Sequence, residues 1–388
     1  MEGLLKFAPR PTGAGEMFQI LRFGPPRTRA ELGVLTGHSR SVIAARLDSL
    51  LAEGLIERAG EATSTGGRPP TEFRFNPSAR IVAGVDVEEQ SVQIGIADLS
   101  GDVIATRVTK NVDPAGPSMT ADLIASEIKA LVGESGCSLQ RLAGIGLGLP
   151  GGTIPQSQVG ISERARYWRP HDVAALLQGE FHVPVGVESP VNARAIGELR
   201  FNWPDTQNLL FVWVGDEISS SVILDGQVRR GAQGLAGDIG HLQVAPGSAL
   251  ECDCGNIGCL QAVLRGRIPS VEEELRNPAN GNVQALLRNV GRDIGIAVSA
   301  CVSILNPSVV VVSGRRGVGD QLVAGIREVV YANALPRITD SLQIRASDQG
   351  QADGVRGCAY LAIENALSQQ AIELLVQGKQ RPEDGGNE

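Results

Sequence analysis

Gly237-Asp238-Ile239-Gly240-His241 is followed closely by Glu251-Cys252-Asp253-Cys254-Gly255-Asn256-Ile257-Gly258-Cys259. Three thiols and one imidazole on a short glycine-rich stretch can close tetrahedrally on Zn²⁺ with all four positions filled. Glycine lets the backbone fold sharply enough to bring the sulfurs together. The spacing is Cys-x-Cys-x4-Cys with a His upstream, unlike the paired Cys-x2-Cys of a zinc finger. Buried free thiols are the alternative, since cysteine is among the most often buried residues. Three of six cysteines and one of four histidines fall in this loop, which favours the metal. His241, Cys252, Cys254 and Cys259 are therefore the expected ligands. A site with four protein ligands keeps no open position, so the Zn²⁺ is expected to be structural.

Outward from the loop, 388 residues allow two or three domains and a sizeable core. The chain has no apolar run of 18 or more residues and no signal peptide, so a cytoplasmic protein with no membrane partner is expected. Cys137, Cys301 and Cys358 stand singly and read as reduced core residues. Charge is uneven. Residues 1–80 carry 11 Lys+Arg against 8 Asp+Glu, a net of +3, whereas the whole chain is at -8 and the remainder at -11. Only the head is suited to meet a polyanion.

That head, residues 15–78, reads as a winged helix-turn-helix. Thr28-Arg29-Ala30-Glu31 is a capping box opening a helix through about Leu35. Thr36-Gly37 forms the turn and Ser39 caps the next helix. Ile43, Leu47, Leu50 and Leu51 recur on one face, leaving Arg40, Ser41, Ala44 and Arg46 nearer the other. Gly33 is read as the small residue that lets the two helices approach. Leu55–Arg58 and Thr71–Phe75 make a β-wing around a tip with Gly66-Gly67-Arg68-Pro69-Pro70. An Arg on a thin, stiff tip suits an A·T-rich minor groove. The second helix would enter the major groove of double-stranded DNA. Ser39, Arg40, Ser41, Arg46 and Arg68 are the candidate contacts. A three-helix bundle with no nucleic-acid role is the competing reading, and the helix pair, wing and positive charge together oppose it. His38 and Arg46 occupy positions where apolar side chains are usual.

From Ile81 strands take over. Ile81–Val87, Val92–Ala97 and Val103–Thr109 form a meander, followed by a helix near Ala121–Leu131 and a strand at Ala143–Leu147. The second half repeats this with Leu209–Val214, Val222–Leu224, a long helix at about Val283–Ile304 and the strand Val309–Val312. Two βββαβα lobes facing a cleft describe an α/β, two-lobed actin-like/ribonuclease-H-like ATPase (sugar kinase) fold over residues 79–376. Residues 1–14 and 377–388 carry no apolar period and read as disordered.

The chain resembles the ROK family (repressors, open reading frames and kinases), specifically its repressor branch. The resemblance spans nearly all of residues 15–368. It rests on Gly237–His241 with the loop Cys252–Cys259, on Gly66-Gly67-Arg68-Pro69, and on Asn306-Pro307-Ser308-Val309-Val310 with Ser313-Gly314. It implies a structural zinc beside a sugar site and an N-terminal winged helix. It also supplies a kinase pattern against which the residues can be read. The first phosphate loop, Asp-x-Gly-Gly-Thr in a family kinase, is Asp86-Val87-Glu88-Glu89-Gln90 here, and the second, Gly-Thr-Gly-Ile-Gly, is Gly215-Asp216-Glu217-Ile218-Ser219. Acids replace the small residues that would let backbone amides reach phosphate. The base, the Asp of Glu-Asn-Asp, matches Pro190 in Glu188-Ser189-Pro190, and proline cannot accept a proton.

The sugar-contacting positions become Ser189, Asp238, His241 and Gln261, with most of the family's groups altered. The expectation is a DNA-binding regulator, of the repressor kind, with a catalytically dead body able to sense a sugar or sugar-derived effector. It is expected to form a homo-oligomer, a dimer or a tetramer. A regulator whose body is read by a protein partner is the alternative, and an active ATP-dependent sugar kinase the weaker one.

Overall fold

The computed structural model describes residues 13–61, 70–88, 91–110, 116–152, 170–215, 217–267, 282–314, 319–347 and 352–378. Helices α1 (Ala14–Phe23), α2 (Arg29–Thr36) and α3 (Arg40–Ala52) adjoin a small sheet. Its order is β1 (Arg27–Thr28), β3 (Thr71–Phe75), β2 (Ile56–Glu61). The capping box forms in both directions. Thr28 Oγ1 accepts from the Glu31 amide at 3.3 Å and Glu31 Oε2 accepts from the Thr28 amide at 2.7 Å. The Thr28 amide, with its hydroxyl, holds the Glu31 carboxyl below the usual range. The cap's stabilisation is therefore present at neutral pH and lost as pH falls through that lowered value.

Gly37 ends α2 at φ 71°, a left-handed position where a side chain is strained, and donates to Gly33 O at 2.9 Å. Ile43, Leu47 and Leu50 are buried as expected and Leu51 is half-buried. Gly33 departs from its reading. A Cβ there would meet only the His38 carbonyl at 3.8 Å, an ordinary contact, so close helix approach does not require the glycine.

The body consists of two five-stranded sheets of identical order. The first is β6 (Val103–Lys110), β5 (Ser91–Asp98), β4 (Ile81–Val87), β7 (Leu142–Gly148), β8 (Val185–Glu188). The second is β11 (Gln227–Val228), β10 (Ile218–Leu224), β9 (Leu209–Val214), β12 (Val309–Gly314), β13 (Gln343–Ala346). In each, three strands meander antiparallel and two more run parallel to the first. Parallel strands are covered on both faces. This is why Val309 to Val312 read as an unbroken apolar run and are all buried.

Crossover helices α4 (Pro117–Glu134) and α5 (Pro170–Phe181) serve the first lobe. In the second lobe α7 (260–267) is followed by α8 (Val283–Leu305), α9 (Asp320–Asn333) and the short α10 (Pro336–Thr339). Helix α6 (Pro190–Asn202) lies between the sheets, where Ala195 and Leu199 join Leu209, Phe211, Trp213 and Val311 in one core. Helix α11 (Ala352–Ala366) returns to the first sheet. There a Cβ on Gly146 would stand 1.9 Å from the Cys358 carbonyl oxygen. Gly146→Ala must displace backbone, and its unfolding free energy is expected to drop by about 1–3 kcal/mol in denaturant titration.

Head and body share a core, so the boundary read at residue 78 is not a gap in packing. Met17, Phe18 and Leu21 of α1 pack with Ile363 and Leu367, and with Ile372 and Val376 of α12 (Gln369–Gly378). Gly15 N donates to Glu373 Oε2 at 3.1 Å, Gln19 Nε2 to the Leu367 carbonyl at 2.6 Å, and Arg22 pairs with Glu364 at 2.6 Å. Helix α12 runs through Gly378 and α1 begins at Ala14. The terminal segments read as disordered are thus helical at residues 14, 377 and 378. Residues 1–12 and 379–388 lie outside the described residues.

Candidate nucleic-acid interface and metal centre

Ser39, Arg40 and Ser41 stand exposed at the start of α3. Ser39 Oγ accepts from the Val42 amide at 3.4 Å and lies 3.0 Å from Ser41 Oγ, which fixes that end of the helix. Arg40 thus projects from an ordered N-terminal turn. Arg46 differs. It is half-buried, and its Nη1 is buried without a hydrogen-bond partner among the described residues. His38 in the turn is half-buried, with Nε2 3.7 Å from Glu16 Oε2 on α1 and without a hydrogen-bond partner among the described residues. The wing strands pair antiparallel with a bulge between Arg58 and Gly60, and β2 continues to Glu61, beyond the Arg58 end read from sequence. Arg68 at the wing tip lies outside the described residues.

The loop residues do converge. One ligand atom from each of His241, Cys252, Cys254 and Cys259 lies within 4.8 Å of every other. Cys254 Sγ is 3.6 Å from Cys259 Sγ, and Cys252 Sγ is 3.4 Å from His241 Nδ1. These separations are far beyond the roughly 2.05 Å of a disulfide, and the thiols are free.

Backbone pairing makes the loop. Cys252 N donates to Asn256 O at 2.9 Å and Gly255 N to Cys252 O at 2.8 Å, and isolated bridges join Gln243 to Cys259 and Glu251 to Ile257. Arg265 on α7 grips Asp253 with two bonds, at 2.9 and 2.5 Å. A backbone hydrogen bond at Asn256 draws the Cys254 thiol down to about 7, while burial pushes Cys259 up to about 12. The cluster is compatible with a structural metal.

The positions read as sugar-binding are placed differently from one another. Asp238 and His241 are exposed. Ser189 caps α6, its hydroxyl accepting from the Asn192 amide at 3.4 Å. Gln261 is buried, and its Oε1 accepts from the Ile218 amide at 2.9 Å, so that oxygen serves the start of β10. Pro190 occupies the first turn of α6, where its missing N–H costs nothing.

Between the lobes lies a set of charges that local sequence patterns did not reveal. Arg194 on α6 donates Nε and Nη2 to Asp86 Oδ2 at 3.1 and 2.7 Å, and Nη2 to Glu88 Oε1 at 2.7 Å. Its guanidinium lies 3.8 Å from the Trp213 ring centroid. Burial raises the Asp86 pKa, and the Arg194 charge opposes that rise. At the end of β8, Glu188 Oε2 accepts from Arg230 at 2.9 and 2.5 Å, and Glu188 Oε1 from Asn192 Nδ2 at 2.9 Å. The partners are over a hundred residues apart in the Asp86–Arg194 pair, at a separation of 108. The one local signal was an Arg at position 194 within an otherwise small-residue helix start.

A winged-helix head on a two-lobed body of the sugar-kinase type, with a His-Cys₃ loop, defines a narrow class. Residues 82–365 match the model of the ROK family, and the chain belongs to the ROK family. The xylose repressor of Bacillus spizizenii is 26% identical over 357 residues, covering 88% of this chain and 92% of its own. A glucokinase of Halalkalibacterium halodurans is also 26% identical, over 73% of this chain and 95% of its own. Among solved structures, a ROK family transcriptional regulator described as a homologue of the E. coli MLC protein aligns with a TM-score of 0.73 at 20% identity, over 94% of this chain and 98% of that one. Among the described residues no helix is long and apolar enough to cross a membrane.

Proposed function

We propose that this chain is a DNA-binding transcriptional regulator of the repressor type whose body does not phosphorylate sugars. The observation that carries this is the exposed, capped start of α3, with Arg40 and Ser41 free to meet a major groove. The family match begins at residue 82, so the head stands outside the part shared with kinases. The likeness to a xylose repressor along most of both chains supports a repressor, and a sugar or sugar-derived effector for the body. Such an effector acts only through different affinities for the DNA-competent and DNA-incompetent states. Asp238 and His241, both exposed, are the residues assigned to it, together with Ser189 and Gln261. A homo-oligomer, dimer or tetramer, would match paired half-sites. Mapping bound sites genome-wide tests the regulator. Discrete sites near a coherent set of genes are expected, and uniform background would refute it.

Absence of turnover follows from the residues. Pro190 has no proton-accepting group, and Asp86 and Glu88 are tied to Arg194. Assays with ATP over a panel of hexoses, pentoses and amino sugars are expected to show no phosphorylation. Transfer to any of them would overturn this part.

The metal is assigned as Zn²⁺, held by His241, Cys252, Cys254 and Cys259. Bond lengths of about 2.3 Å to sulfur and 2.0–2.1 Å to nitrogen give tetrahedral edges of about 3.5–3.8 Å. The 3.6 Å between Cys254 and Cys259 and the 3.4 Å between Cys252 and His241 agree with those edges. Four protein ligands leave no place for substrate, so the ion's contribution there is to hold the loop.

A further inference from the structure

We propose that Arg194 is a built-in counter-cation: its guanidinium takes the place of a nucleotide-borne metal ion at the inter-lobe crevice and fastens the two lobes without nucleotide. The proposal rests on the reading of the body as a non-kinase. In open α/β sheets ligands sit in the crevice beyond the carboxyl ends of parallel strands. Asp86 lies at the end of β4 and Trp213 near the end of β9, each strand having a parallel neighbour. Arg194 comes from the helix between the sheets and holds both ends, with Asp86 and Glu88 from one lobe and the Trp213 ring from the other.

Asp86 and Arg194 are 2% and 3% exposed, so each charge depends on the other. Leaving one buried and unpaired is strongly unfavourable. The planar guanidinium suits the place, because it bonds a carboxylate through two nitrogens while stacking face-on over indole. Asp86 Oδ1 is buried with no hydrogen-bond partner among the described residues. Without Arg194, the Asp86 and Glu88 carboxylates would face one another unpaired, oxygen donors of the kind that take a hard divalent cation.

The test compares thermal unfolding of the full chain with and without millimolar Mg²⁺. The wild type is expected to be indifferent to Mg²⁺ and to Mg·ATP. Arg194→Met is expected to melt lower by on the order of 5–10 °C and to regain much of that loss with Mg²⁺. A variant combining Arg194→Met with Asp86→Asn and Glu88→Gln has no charge to compensate. It is expected to melt well above Arg194→Met, to ignore Mg²⁺, and to show a larger radius of gyration in small-angle scattering than the wild type. If Arg194→Met does not fold, a folded triple variant still supports the proposal. A triple variant no more stable than Arg194→Met, a single variant deaf to Mg²⁺, or an unchanged radius in the triple variant would overturn it. Phosphoryl transfer by the wild type would instead refute the non-kinase reading, so the two failures are distinguishable.

Discussion

Cys259→Ser is expected to strip the metal from the protein and to lower its melting temperature by on the order of 10 °C. Cys259 is fully buried at the junction of the loop and α7, and among the described residues the apolar cluster around it consists of Cys252, Cys259 and Ala262. So small a core contributes little by burial, and the backbone pairing of the loop is expected to rely on bonds from the four side chains to the metal as well. The adjacent α7 carries Leu260 and Leu264 into the main core of the second lobe, so disorder in the loop propagates there. Metal analysis should fall from about one Zn per chain to nearly none, and calorimetry should show the shift. Cys301→Ser is the control. Cys301 is half-buried on α8, outside the cluster, and its substitution should leave metal content unchanged. Full metal retention in Cys259→Ser would remove the structural-zinc assignment.

Arg40→Ala is expected to weaken specific DNA binding about 10–100-fold, corresponding to about 1–3 kcal/mol for a base-contacting Arg. Its melting temperature should be unchanged, because Arg40 is exposed and the cap of α3 is made by Ser39. Fluorescence anisotropy with labelled operator DNA measures this. A loss confined to one base position identifies base contact, whereas a uniform loss with a salt slope reduced by about one identifies phosphate contact. Arg46→Ala should separate from it. Arg46 is half-buried, so its loss should register in stability before it registers in affinity.

The features legible in sequence are those written in short-range chemistry. The Thr28–Glu31 capping box, the Gly37 turn and the Val309–Val312 run each encode their element within a few residues, and each stands in the structure as read. The His-Cys₃ loop was legible because its ligands are close in the chain and chemically rare. Short strands were missed. β8 and β13 have four residues each and take their pairing from β7 and β12 rather than from their own pattern. Gly33 was misread because helix spacing cannot be inferred from one glycine. Gln261 was read by its likeness to a sugar ligand; that its carbonyl oxygen accepts from the Ile218 amide was not legible, because folding sets that contact across 43 residues. The Arg194–Asp86–Glu88–Trp213 set and the Glu188–Arg230 pair span lobes, and long-range charge pairing leaves no periodic trace in a single sequence. The docking of α1 on α12 joins the two ends of the chain and is invisible for the same reason.

Direct titration of the whole 388-residue chain against double-stranded DNA from upstream of its own gene, at several salt concentrations and with unrelated DNA as competitor, bears most directly on the claim that the function resides in the head. Saturable binding that survives competitor is predicted, with the logarithm of affinity falling linearly against the logarithm of salt concentration. Binding no tighter than to the competitor DNA, here and at the sites recovered by genome-wide mapping, would contradict it.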